Sequence, residues 1–106
     1  MTITKLMIGT VAASLFVTPA LAGNRDRALM AISQAQASVQ LASSAGADTR
    51  AADAQAEANI ALDRARRQMA KGKDHHAFYA AREADAYARL ALAKAQTQMS
   101  ATPANY

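Results

Sequence analysis

The sequence predicts an all-α protein, a signal peptide followed by an antiparallel three-helix bundle or a long helical hairpin with an added N-terminal helix, around an Ala-rich core. Three observations carry this expectation. Of 106 residues, 30 are Ala, the strongest helix former. Residues that build strands or staple small folds are scarce, with aromatics at 5%, Cys 0 and Trp 0, which argues against β-rich and disulfide-rich classes. Apolar residues recur at spacings of 3, 4 and 7 in three successive stretches, the period of a helix and not of a strand.

The first 22 residues read as an address. Lys5 supplies the positive start, Leu6 to Val17 form an uncharged, mostly apolar run, and Thr18-Pro19 break it ahead of Ala20-Leu21-Ala22. That is the plan of a cleavable secretory signal peptide, with Gly23 as the new N-terminus. Twelve helical residues cover only about 18 Å of a hydrocarbon core roughly 30 Å thick, so export is favoured over a membrane span. Gly23 stands where a lipoprotein would carry Cys, so no acyl anchor is expected. The expected location is the periplasm.

Residues 23–100 are expected to form one helical domain and 101–106 a flexible tail. Gly46 and Gly72 divide the domain, each at a place where a helix would end in the left-handed conformation that Gly adopts freely. Asn24, Asp48 and Asp74 are N-cap candidates at the starts. The resulting helices are placed at about 25–44, 49–71 and 75–99, and Pro103 closes the last one.

A thirty-residue correspondence runs through them. Ala28, Ala31, Ile32, Ala35 and Val39 return as Ala58, Ala61, Leu62, Ala65 and Met69, and again as Ala88, Ala91, Leu92, Ala95 and Met99. Ala47, Ala51 and Ala54 match Ala77, Ala81 and Ala84 upstream. A helical repeat explains this pattern, and so does an Ala-rich composition in which each helix needs one buried stripe. Both give the same expected core. Fifteen larger apolar residues remain after position 22, and Leu29, Ile60, Phe78, Tyr79, Tyr87 and Leu90 among them flank the stripe.

Residues that could carry chemistry are few. His75 and His76 are adjacent and point about 100° apart on a helix, so they cannot share a metal as His at i and i+4 would. Asp53, Glu57, Asp63, Glu83 and Asp85 lie among Arg and Lys at helical spacings, as solvated-face charges do. No glycine-rich loop is present, so no catalytic site, metal or cofactor is expected. Arg64, Arg67 and Lys71 share one helical face and could contact an anionic surface, either lipid or cell wall. Equally, they place cations at the negative end of a helix whose start carries Asp48, Asp53 and Glu57. Phe78, Tyr79 and Tyr87 could line an apolar groove. Net charge is +4 for the whole chain, yet no aromatics interleave with the basic run, and nucleic acid is not an expected partner.

From Ala47 to Gln96 the order of an Ala-rich helix, the turn Met69-Ala70-Lys71-Gly72-Lys73-Asp74 and a second Ala-rich helix ending in Leu90-Ala91-Leu92-Ala93-Lys94-Ala95 resembles a bacterial domain family of unknown function numbered 4398. The resemblance implies an envelope location and a helical scaffold, without the lipoprotein Cys or the C-terminal peptidoglycan-binding domain of many members. The function expected is therefore a non-catalytic periplasmic scaffold or interaction module of the cell envelope, with an envelope protein or a second copy as partner. The alternative is a small periplasmic chaperone or lipid-binding protein that uses the apolar groove.

Overall fold

The computed structural model describes residues 23–101, with side chains as far as Gln98. The expected signal peptide and residues 102–106 of the tail lie outside the described residues. Among those described, four helices pack together: α1 (Asn24–Ser44), α2 (Ala47–Arg50), α3 (Ala52–Ala70) and α4 (Asp74–Ala101).

The Gly residues act as the sequence suggests. Gly46 has φ +87° and Gly72 φ +78°, the left-handed region that side chains with a Cβ avoid. After α3 the turn is a Schellman motif: Gly72 N–H donates to Met69 O at 3.0 Å and Lys73 N–H to Gln68 O at 2.9 Å, satisfying carbonyls that the helix end would orphan. At the end of α1, Gly46 N–H donates to Ser43 O at 2.9 Å. Gly46 O then accepts from Arg50 N–H at 2.9 Å and opens α2.

Three local expectations are corrected. The helix expected at 49–71 is two helices, because Ala51 sits at φ −141°, ψ 49° and breaks the ladder after one turn. The capping positions before α1, α2 and α3 are Gly23, Gly46 and Ala51, none with a side-chain cap. Asn24 and Asp74 are already helical, and Asp48 lies inside α2, where it accepts a 2.7 Å hydrogen bond from the Ser43 hydroxyl. Finally, α4 includes Ala101, which the sequence had assigned to the tail.

Directions follow from side-chain pairs. Arg25 meets Asp74 and the Ser38 hydroxyl donates to Asp85, so α1 and α4 run the same way. Arg64 meets Glu83, while Asp53 and Ala54 share a cleft with Ala93 and Lys94, so α3 runs against α4. The last helix packs along both of the other long ones, and these touch each other least.

Alanine makes up nearly all of the interior. Ala28 and Ala35 of α1, Ala58 and Ala65 of α3, and Ala77, Ala81, Ala84, Ala88, Ala91 and Ala95 of α4 are fully buried. Ile32, Val39, Leu62 and Met69 supply the bulk. Of the recurrent stripe, Leu92 is only half-buried, packing against the group of Ala42, Ala47, Ala51, Ala54, Ala91 and Ala95 at the Gly46 end. Small side chains let helix axes approach toward the short end of the usual 8–10 Å spacing. The bulkiest side chain fully buried among the described residues is polar: Gln55, 2% exposed, donates from Nε2 to Val39 O on α1 at 3.1 Å.

Two outcomes follow from this packing. Ala61→Leu or Ala91→Leu should lower stability by about 1 to 3 kcal/mol in urea denaturation, because a well-filled seam has no room for three extra carbons. Gly46→Ala should cost about 1 to 2 kcal/mol by the same measurement, the penalty of a left-handed residue with a Cβ.

Candidate functional site

Two seams border α4, and the candidate residues on this helix divide between them. On the α1 side, Phe78, Arg82, Asp85 and Arg89 follow each other at spacings of 4, 3 and 4, which keeps them on one flank. Phe78 packs on the core. Its ring lies 5.8 Å from the Arg27 guanidinium carbon and 5.7 Å from that of Arg82, cation–π contacts that hold both stems. Tyr79, 66% exposed, meets Phe78 edge-on with centroids 5.4 Å apart. A cleft of about 190 Å³ opens beside them between Asn24, Arg27, Asp74, His75, Phe78 and Tyr79.

On the α3 side, Glu83, Tyr87, Leu90 and Lys94 take the same 4, 3, 4 spacing, and Asp53, Glu57, Ile60 and Arg64 mirror it on α3. Arg64 Nη1 lies 3.2 Å from Glu83 Oε1 at one end, and Asp53 shares a cleft with Lys94 at the other. The register between these ends sets Ile60 level with Tyr87 and Glu57 level with Leu90. Ile60 is 53% and Leu90 45% exposed, and Tyr87 is half-buried against the core. An apolar centre of Ile60, Tyr87 and Leu90 thus lies open on the seam, with charges of both signs at its rim.

The three aromatic groove candidates are not gathered in one place. Phe78 and Tyr87 are nine residues apart, about 180° around the helix, so Phe78 serves the α1 seam and Tyr87 the α3 seam, with Tyr79 between them facing solvent. At the height of Tyr87 on the neighbouring helix stands Ile60. Periodicity within one helix marks Ile60 and Leu90 as flanking residues, but their meeting depends on the register between helices, which it does not encode.

The basic candidates are also divided. Arg64 pairs with Glu83, and Arg67 pairs with Asp63 one turn back, its Nε 2.9 Å from Oδ2. Lys71 is exposed and has no ion-pair partner among the described residues. Arg66, outside the proposed trio, donates to Gln36 Oε1 at 3.0 Å and ties α3 to α1. His75 and His76 are exposed at the start of α4. Among the described residues no three His, Asp or Glu side chains gather as a metal site would require. No helix among them is long and apolar enough to cross a membrane.

The chain matches no family model, no curated protein and no solved structure. Its own geometry is therefore the ground for a functional reading.

Replacing Arg64, Arg67 and Lys71 together by Gln removes two exposed pairs, each contributing about 0.2 to 1 kcal/mol. The triple variant should lose no more than about 2 kcal/mol in urea denaturation, and its sedimentation with anionic lipid vesicles should match that of the parent chain. A fall in vesicle binding relative to the parent would make the basic face a contact site.

Proposed function

We propose that this chain is an exported, non-catalytic interaction module of the bacterial cell envelope, a small helical scaffold that works in the periplasm by holding a protein partner. The observation that carries this reading is the Ile60, Tyr87 and Leu90 patch. Large apolar side chains stand open on the α3/α4 seam although the interior beneath is closed with alanine. An apolar centre inside a polar rim is the anatomy of a protein contact surface. A fully buried aromatic anchor is also where binding energy concentrates, and Tyr87 is already half-seated on the core.

Export rests on the Lys5, Leu6–Val17 and Ala20-Leu21-Ala22 pattern, and the envelope setting on the export that this pattern predicts. Absence of Cys from the whole chain leaves helix packing and partners as the sources of stability in an oxidising compartment. Its surface charge adds to this picture, since a cation and an anion stand together at each end of the seam instead of forming a block of one sign.

Two measurements test the proposal. Mass spectrometry of the protein released from the periplasm by osmotic shock should give Gly23 as the first residue, and a chain retained in the cytosol with Met1 or Thr2 intact would sink it. A photo-crosslinking amino acid at position 90 should give a discrete adduct in cells, whereas the same group at position 41 should not, since Leu41 is exposed on α1 away from the patch. Equal, diffuse labelling at both positions would count against a dedicated surface.

A further inference from the structure

The α3/α4 seam carries its charges in a particular order. Arg64 faces Glu83 at one end and Asp53 shares a cleft with Lys94 at the other; the antiparallel register between these ends sets Ile60 at the height of Tyr87 and Glu57 at that of Leu90. Because α3 and α4 run in opposite directions, facing residues stand at the same height along the seam. A two-fold rotation about an axis parallel to the seam keeps every residue at its height while exchanging left for right. It lays α3 of one copy over α4 of the other. Arg64 then faces the second copy's Glu83 at one end, and Asp53 faces the second copy's Lys94 at the other, with the two Ile60 and Tyr87 pairs meeting in the middle. The two ends of the surface are complementary to themselves in charge sign and its middle is apolar, with Glu57 of each copy at the height of the other's Leu90.

We infer that the partner seated on the Ile60, Tyr87 and Leu90 patch is a second copy of this chain, in an isologous dimer whose axis runs along the α3/α4 seam. The inference deepens the interaction-module reading and rests on it. Three features of the seam support this occupant over an unrelated protein. Charges at each end are matched by the chain's own opposite charges, as closed two-fold contacts require. Exposed Ala86 and Ala93 lie one turn from Leu90 on the outer face of α4 and allow a facing helix to approach as closely as the alanine seams inside do. Arg64 and Glu83 are about half exposed in the single chain and retain hydrogen-bonding capacity for a second contact.

The test uses the mature full-length chain purified from the periplasm. Light scattering over a dilution series should show twice the monomer mass at high concentration and dissociation on dilution. Leu90→Glu should raise the dissociation constant by about ten-fold or more with the helical circular dichroism signal unchanged, and Leu41→Glu should leave it as it was. Charge exchange is the sharper arm: Arg64→Glu should weaken the dimer, and adding Glu83→Arg should restore it, because both halves of each contact then change together. A foreign partner, whose charges stay fixed, would not be regained by that double exchange.

A monomer at every concentration, or a dimer indifferent to Leu90→Glu and to the exchange, overturns the inference. Crosslinking at position 90 separates this failure from that of the underlying reading. An adduct of twice the chain mass supports the dimer. A discrete adduct of another mass overturns the dimer and keeps the interaction module, and no adduct overturns both.

Discussion

Close approach of helices along alanine is the constraint on which the remaining features depend. A side chain of one carbon contributes little apolar area, so the interior gains its stability through proximity and the many contacts that it permits rather than through bulk. Proximity is costly to disturb, and it sets what the other residues must do. Ile32, Val39, Leu62 and Met69 are the larger side chains admitted to the core, and the larger aromatics lie at the seams. Phe78 and Tyr87 lie half-buried on opposite flanks of α4 for this reason. What the outside of the molecule offers a partner is thus a by-product of how little the inside can accommodate.

Turns and seams divide the remaining work. The two left-handed Gly residues end α1 and α3, and the charged pairs fix neighbouring helices at set heights. Arg25 with Asp74 and Ser38 with Asp85 align α1 with α4, Arg64 with Glu83 aligns α3 with α4, and Arg66 with Gln36 reaches from α3 to α1. Exposed pairs contribute little stability individually. Their value lies in choosing among helix offsets that alanine surfaces alone would tolerate almost equally.

Periodicity made the interior legible. The alanines recurring at thirty-residue intervals from Ala28, Ala31 and Ala35 are buried wherever the structure describes them, because a period of 3.6 leaves a helix only one face to hide. Gly46 and Gly72 were legible for a stereochemical reason. The break at Ala51 was not, since alanine is the best helix former and carries no stop signal; it falls one turn after Gly46, between α2 and α3. The patch of Ile60, Tyr87 and Leu90 escaped for a different reason. Each residue is visible as a large side chain beside a stripe, but the meeting of the three depends on the antiparallel offset of two helices, and no single helix records it.

Gln55 has a consequence of its own. An alanine stripe resembles a comb with even teeth: sliding one helix past another by a turn brings tooth to gap again with small loss. Gln55 is the odd tooth. Its amide reaches the Val39 carbonyl on α1, and a slip of one turn would leave that amide sealed in an apolar seam without its acceptor, at a cost of about 1 to 3 kcal/mol. A single buried amide thereby gives an otherwise uniform interior an origin from which position is counted, and distinguishes one arrangement of these helices from its near copies.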